Sequence, residues 1–479
     1  MIDPGQWMHM HMQANTHNHP SPTDFDTYLP WACNQMAVEM RIVVTKTAMS
    51  EYVSVVASDR TKIKKPKKAK KRSPSEDGSS QSSSGNYNIP SLVSGADDIV
   101  NIHAIYDQFM NLVQIKFLKN KYIPREVIKI ITLLVPMYKY LTSITIDCGL
   151  RVGTIYDISQ LLPVSKVTEL CLDNTDVVEA NYYILLNEPI LKHLSLAKCN
   201  LNDEVIRLIA ERIVYPCPAS KSLTVLNLST NEITDVGAKY LAEALRSNRR
   251  LAYLNLSDNQ ITDLGAGYIF DILIEFPLTS QETFDKKSRL MIYLKEKKDL
   301  FLITINDLRV MDSEKKSTKK GKAVKSQAST TIKRKQSTPF RDKSSTHADA
   351  GMSLNERAEA IVQELMGPLF DPFDRNNTVM RDDELCCRGN NTLCYLNVAF
   401  NDLTIASVVK LRDVLVAQKE MNRNPKGLVN VRLEGNYLPT WCAEMQDIDA
   451  MLEANLSTFK RTSIVKKKTA RSTPSKSSS

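Results

Sequence analysis

The sequence predicts an α/β solenoid, in which a parallel β-sheet lines a concave face and helices cover the convex face. The string LTVLNLSTNEITDVGAKYLAEAL at Leu223 and the string LAYLNLSDNQITDLGAGYIFDIL at Leu251 align without gaps at a spacing of 28 residues. Each string combines alternating apolar residues, typical of a strand, with apolar residues at helical spacing. Related strings are VTELCLDNTDV at Val167, LKHLSLAKCNL at Leu191, LCYLNVAFNDL at Leu393, LVNVRLEGNYL at Leu428 and the degenerate LTSITIDCGL at Leu141.

The shared pattern, L-x-x-L-x-L-x-x-N-x-(L/I), is the leucine-rich-repeat signature. Side chains alternate along a strand, so Leu226 and Leu228 should point into the solenoid while Val225 and Asn227 point out of the concave face. A generic α/β fold would also alternate strands and helices, but it would not repeat an asparagine at one offset. We therefore predict a horseshoe of six to seven units, enough for stacked repeats to share a core.

One residue of each unit should lie where the chain turns off the strand and satisfy backbone groups that no strand pairing reaches. This predicted ladder comprises Cys199, Asn231, Asn259, Asn401 and Asn436. Thr234 and Thr262, each followed by an aspartate, are predicted N-caps of the helix in their unit.

The repeats are interrupted, because the strand expected near residue 279 begins only at Leu393. We expect a disordered basic N-terminal region (1–92), an N-terminal cap (93–140) and a first block of repeats (141–279). A charged, largely disordered insertion with short helices (280–392) should follow. The chain should end with a second block of repeats and a C-terminal cap (393–456) and a disordered basic tail (457–479).

The net charge of +9 is unevenly distributed. Residues 60–72 carry +9, residues 315–343 carry +10 and residues 460–479 carry +7, which leaves −17 for the rest of the chain. The first run resembles a nuclear-localisation or nucleic-acid patch, and the later runs could bind RNA, acidic tubulin tails or anionic lipid. The alternative is that all three are plain solvated tails. The basic residues of the first run are Lys62, Lys64, Lys65, Lys67, Lys68, Lys70, Lys71 and Arg72.

The outward strand positions define a candidate protein-binding surface that is nearly uncharged at its centre. Tyr253 and Tyr395 should be neighbours if the insertion loops out of the array. Aromatic residues among small polar ones are typical of protein-binding sites. The candidate contact residues are Val225, Asn227, Tyr253, Asn255, Tyr395, Asn397, Phe400 and Arg432.

The sequence offers no motif for catalysis, for a cofactor or for a metal site: it lacks G-x-x-x-x-G-K-[ST], G-x-S-x-G and H-E-x-x-H. We therefore predict that the protein is not an enzyme and needs no cofactor. The nine cysteines lack CxxC spacing, which suits a reducing compartment. No stretch approaches eighteen uncharged apolar residues, so we expect neither membrane insertion nor secretion.

The order of these parts resembles the leucine-rich repeat-containing protein 71 family over roughly residues 95 to 456. The resemblance rests on LNLSDNQITDLGAGYIFDIL, a lysine-rich insertion, a PLFDP segment, and then LCYLNVAFNDLTIASVVKL and LVNVRLEGNYLPTWC. It implies a non-catalytic intracellular protein associated with motile cilia. We expect a protein-binding scaffold or adaptor in the cytoplasm, at cilia or in cytoskeletal assemblies; the alternative is a nuclear or RNA-associated factor that uses its lysine-rich tails.

Overall fold

The computed structural model describes residues 20–49, 99–320, 352–421, 423–439 and 441–471, and the statements below concern those residues. The chain forms two compact units. The first comprises Met1–Phe276 and Gly389–Ser479, and the second comprises Pro277–Arg388.

A ten-stranded sheet runs through the first unit. Neighbouring strands are parallel, except for one antiparallel pair formed by Ile99–Tyr106 and Leu112–Phe117. In spatial order the strands are Arg41–Ala48, Ile99–Tyr106, Leu112–Phe117, Ser143–Ile146, Glu169–Cys171, His193–Ser195, Val225–Asn227, Tyr253–Asn255, Tyr395–Asn397 and Asn430–Arg432. The predicted parallel solenoid sheet is therefore confirmed, and it continues directly from the Tyr253 strand to the Tyr395 strand.

The central residue of each repeat strand points into the core. Leu226 pairs in register with Leu254, and Leu254 pairs with Leu396. All three are 0% exposed. The row of central residues is Ile144, Leu170, Leu194, Leu226, Leu254, Leu396 and Val431.

In the ten-stranded sheet, every strand from Leu112–Phe117 onwards is followed by a helical segment that buries apolar residues. The predicted N-caps are confirmed, because the Thr234 and Thr262 side chains accept hydrogen bonds from the backbone N–H groups of Val236 and Leu264. The α-helices of the repeats and their caps are Arg125–Leu134, Thr154–Val164, Asp203–Ile213, Asp235–Leu245, Asp263–Asp271, Ile405–Met421 and Ala443–Arg471. Short 3₁₀ helices lie at Val135–Met137, Tyr182–Leu186 and Pro218–Lys221.

The N-terminal cap begins earlier than the sequence analysis predicted. The expectation of disorder through residue 92 is wrong for Phe25–Gln35, which is a helix, and for Arg41–Ala48, which pairs as a parallel strand with Ile99–Tyr106. Phe25 is 0% exposed, and its ring meets the ring of Tyr138 edge-on at 5.6 Å. The helix has an apolar face with helical spacing. The sequence on either side is polar, so the average composition of the N-terminal region does not reveal this face. That face consists of Phe25, Tyr28, Leu29, Ala32 and Cys33.

The second unit contains more regular structure than expected. Short helices were predicted, but Ser280–Lys320 is one helix of 41 residues. Ile305 and Leu308 of this helix bury against Ala358 of a second helix, Leu354–Met366. Burial of this face supplies stability that the charged composition does not reveal.

A two-residue strand, Phe276–Pro277, marks the start of the second unit, and a hairpin of Thr378–Arg381 and Glu384–Cys387 lies near its end. The first unit resumes at Gly389, earlier than the boundary predicted at residue 392. Asn390 is 0% exposed and donates hydrogen bonds to the carbonyl oxygens of Leu245 and Asn248.

Candidate protein-binding surface

Tyr253 and Tyr395 lie side by side on the concave face. They pair across adjacent strands, as predicted, and their rings stack with centroids 4.2 Å apart and planes inclined by 12°. Both side chains are partly exposed. Burial raises the pKa of the Tyr253 hydroxyl, and the neighbouring Tyr395 raises it further. The pair therefore presents a fixed, neutral aromatic surface.

The asparagines next to the tyrosines also support their own strands. The side-chain oxygens of Asn227, Asn255 and Asn397 each accept a hydrogen bond from the backbone N–H two residues further on. Asn227 also donates to the hydroxyl of Ser195, at 2.8 Å. The amide oxygens of this column thus hold the ends of the strands in place, and only part of each amide remains available to a partner.

Arg432 and Phe400 lie towards the C-terminal end of the array, and Val225 lies on the strand before that of Tyr253. Arg432 is exposed, and its positive charge lowers the pKa of Tyr253, which opposes the effect of burial. Phe400 is 60% exposed, has a positive φ of 54° and lies against Gly435. A Cβ atom at Gly435 would lie 2.3 Å from Cδ1 of Phe400, so this glycine permits the ring position.

The N-terminal half of the concave face forms an open depression of about 370 Å³ that extends from Gln114 to Tyr253. His193 Nδ1 lies 3.3 Å from a carboxylate oxygen of Glu169 within it. Just after the Glu169–Cys171 strand, Asp173 accepts hydrogen bonds from the hydroxyl of Ser195 at 2.6 Å and from the backbone N–H of Ala197 at 2.9 Å. This half of the face carries negative charge, whereas the tyrosine pair does not.

The predicted asparagine positions lie where the chain leaves each strand. Asn231 accepts from the backbone N–H groups of Cys199 and Leu201 and donates to the carbonyl oxygens of Leu196 and Leu228. Asn259 and Asn401 make the same two donations one and two units further on, and they accept from the backbone N–H groups of Ile233 and Ile261. Asn436 accepts from the backbone N–H groups of Asn401 and Leu403. Cys199 donates through sulfur to Leu172 O at 3.1 Å. Burial raises the pKa of the Cys199 thiol.

A second ladder, made of aspartates, was not predicted. Asp203 accepts from the backbone N–H groups of Thr234 and Gly237, both at 2.9 Å, and from the Thr234 hydroxyl. Asp235 makes the corresponding bonds to Thr262 and Gly265. The recurring T-D-x-G strings at residues 234 and 262 are the sequence signal for this ladder.

The basic run from Lys62 to Arg72 lies outside the described residues. Within the described ranges, no group of three or more His, Cys, Asp or Glu side chains is arranged to hold a metal ion. None of the described helices combines the length and apolar composition needed to cross a bilayer.

Comparison with known proteins identifies the repeats. A family model described as "Leucine Rich repeat" matches residues 219–242 and 247–270, which include the Val225 and Tyr253 strands. The chain contains leucine-rich repeats. No curated protein matches it. A leucine-rich-repeat fold is typically a non-catalytic domain for interaction with other proteins.

Proposed function

We propose that this leucine-rich-repeat protein is a non-catalytic scaffold or adaptor that binds a protein partner through its concave face. The proposal rests on one observation, the stacked and partly exposed pair of Tyr253 and Tyr395. Tyrosine offers a large contact area with few rotatable bonds, and it is enriched among the residues that dominate binding energy.

The surroundings of the tyrosine pair support this role. The rings are attached to adjacent strands whose central leucines are fully buried, so their positions are fixed before a partner arrives. Such preorganisation reduces the entropy lost on binding. Arg432 is exposed nearby and can add a charged hydrogen bond at the margin of the contact, while Phe400 extends the aromatic area.

The experiment compares two pairs of tyrosines. Proximity labelling in cells is performed with the unchanged chain, with Tyr253→Ala/Tyr395→Ala, and with a control, Tyr122→Ala/Tyr156→Ala, in exposed tyrosines away from the concave strands. A true partner is a protein that is labelled by the unchanged chain and by the control but not by Tyr253→Ala/Tyr395→Ala. It must also bind the purified full chain directly. Loss of the pair should weaken that binding by about tenfold or more. Equal binding by both variants at unchanged melting temperature would contradict the proposal.

The place of action is proposed from the family resemblance. Resemblance to leucine-rich repeat-containing protein 71 supports a cytoplasmic protein associated with the cilium or axoneme. Imaging of the tagged full chain in ciliated cells should show axonemal signal. Signal confined to the nucleus would contradict this placement.

The alternative function, a nuclear or RNA-associated factor, is supported by the basic run that contains Lys62 to Arg72. It predicts that neutralising this run abolishes nuclear signal and that RNA binding falls steeply as salt rises. RNA binding that is unchanged between about 50 and about 200 mM salt would remove this alternative.

A further inference from the structure

The two edges of the repeat sheet carry opposite charge. All strands from Ser143–Ile146 onwards are parallel, so the segments that enter the strands share one edge and the segments that leave them share the other. Six of the seven entering segments carry an exposed cation one to four residues before the strand, and we call this row the lysine edge. The segment before Tyr395–Asn397 carries no cation at that distance. The residues of the lysine edge are Lys139, Lys166, Lys192, Lys221, Arg250 and Lys426.

The opposite edge is acidic. The segments that leave the strands carry Asp147, Asp173, Asp176, Glu232, Asp258, Asp402 and Glu434. Glu188 on the lysine edge, and Arg151 and Lys198 on the acidic edge, are exceptions to this separation. Asp147 and Asp173 of the acidic edge accept hydrogen bonds from backbone N–H groups of the sheet. The side chains of the lysine edge make no hydrogen bond within the described residues, so the packing of the repeats does not explain their position.

The cations of the lysine edge are unpaired in the part of the chain that the structure describes, although Glu188 lies on the same edge. None of the six forms an ion pair with another described residue. Adjacent strands are about 4.8 Å apart, so the row from the Ser143 strand to the Asn430 strand is about 29 Å long. Like charges at this spacing repel one another within a Debye length, and a bound anionic chain relieves that repulsion.

We infer that the lysine edge binds an extended acidic segment of another protein. An extended chain rises about 3.3 Å per residue, so about nine residues span the row. Its carboxylates on one side recur about every 6.8 Å, close enough to the strand spacing for flexible lysine side chains to reach them. The site lies along an edge and does not require the Tyr253–Tyr395 contact, so it goes beyond the proposed concave-face function.

The distribution of charge favours a peptide over a nucleic acid. A nucleic acid carries phosphates along its whole length and would bring some of them towards Glu169 and Asp173 on the neighbouring face. A peptide can direct its acidic side chains to the lysine edge and place neutral or basic side chains on the other side.

The test uses fluorescein-labelled dodecaglutamate and the full chain, with binding followed by fluorescence anisotropy. The edge variant is Lys166→Ala/Lys192→Ala/Lys221→Ala/Arg250→Ala. The control variant, Lys129→Ala/Lys198→Ala/Lys239→Ala/Arg212→Ala, removes the same number of lysines and arginines from exposed positions outside the lysine edge. Both variants therefore have the same net charge and retain the three basic segments, which contribute equally to binding.

The edge variant should bind dodecaglutamate about tenfold more weakly than the unchanged protein, whereas the control variant should change affinity less than about threefold. Tyr253→Ala/Tyr395→Ala should bind the probe normally, which separates this site from the concave face. Circular dichroism melting confirms that each variant is folded. Equal losses in both four-residue variants, or no loss in either, would overturn the inference. An oligouridylate of twelve nucleotides that binds as tightly as the peptide and loses affinity equally would also overturn it.

Discussion

The helix that begins at Asp263, before the second unit, and the helix that begins at Ile405, after it, are held by similar hydrogen bonds but through different side chains. Asp235 accepts from the backbone N–H groups of Thr262 and Gly265. Asp263 accepts from those of Thr404 and Ser407, and the Ser407 hydroxyl donates to the same carboxylate. Glycine in the earlier repeat leaves room for the carboxylate, whereas serine in the later repeat binds it.

This difference shows that each aspartate serves the following repeat. Asp263 stabilises the start of a helix that lies beyond the whole second unit in sequence. Ile405 stands at the position that Asp235 and Asp263 occupy in the earlier repeats. The next repeat places Pro439, which has no backbone N–H, where a threonine would donate to such an aspartate. An aspartate at the first helical position thus indicates that another unit with a threonine cap is stacked behind its own.

The largest effect should come from the buried leucines on either side of the junction, by which we mean the pairing of the Tyr253–Asn255 strand with the Tyr395–Asn397 strand. Leu254→Ala and Leu396→Ala should each lower the free energy of unfolding by about 2–5 kcal/mol, because both side chains are 0% exposed. Urea denaturation measures this, with the 94% exposed Val178→Ala as a control that should change little. A marked loss for Leu254→Ala with none for Leu396→Ala would mean that the sheet ends before the second unit.

The asparagine ladder gives the next test. Asn259→Ala and Asn401→Ala should each cost about 1–3 kcal/mol, because backbone groups of two adjacent repeats lose their partner. Chemical denaturation of both variants should give similar losses on the two sides of the junction. The control is Asn376→Ala, an exposed asparagine outside the ladder whose φ is not positive. A cost for Asn401→Ala no greater than that of this control would refute the shared role.

Asp263→Asn should lower stability at neutral pH by about 1–3 kcal/mol, since it replaces a charged acceptor of several hydrogen bonds. Burial acts to raise the pKa of Asp263, but hydrogen bonds from Ser407 and Thr404 outweigh it and lower the pKa. A carboxyl group with a lowered folded-state pKa stabilises the fold above its unfolded-state pKa, and this contribution is lost as the pH falls through the folded-state value. The difference between the two proteins should therefore shrink below about pH 4. Urea titrations at several pH values measure this difference in the free energy of unfolding. A difference that grows in acid would contradict a lowered pKa of Asp263 in the folded protein.

The smallest effects come from two helical glycines. A Cβ atom at Gly237 would lie 2.4 Å from Oδ1 of Asp203, so Gly237→Ala should destabilise by about 1–2 kcal/mol. At Gly267 the nearest atom is the mobile Nζ of Lys410, at 3.2 Å, so Gly267→Ala should be neutral or stabilise by up to about 1 kcal/mol. Thermal melting of the two variants distinguishes them. A similar decrease in both would show that helix geometry, and not the aspartate ladder, requires these glycines.

The repeats were predictable because the alternation of leucines in each strand shows which side chains are buried. Alternating leucines at 226 and 228 and an asparagine at 231 fix the strand, the turn and the register from local sequence alone. Continuation across the second unit was also predictable, because the Leu393 string repeats the earlier pattern and places Tyr395 opposite Tyr253.

Other features depend on contacts that a local pattern does not reveal. The helix Phe25–Gln35 is stabilised by distant residues such as Tyr138, and the helix Ser280–Lys320 by Ala358. The lysine edge arises from single residues in six different connections. The contrast between its positive charge and the negative charge of the other edge appears only when the parallel strands bring those connections to one side of the sheet.

The most direct test of one continuous face is a double-mutant cycle on Tyr253 and Tyr395, measured by urea denaturation of the full chain. Alanine is introduced at each position singly and at both together. Stacked rings predict a coupling energy of about 0.5–1.5 kcal/mol between two residues that lie on opposite sides of the second unit in sequence. Additive effects of the two substitutions would contradict a concave face that continues from the first block of repeats into the second.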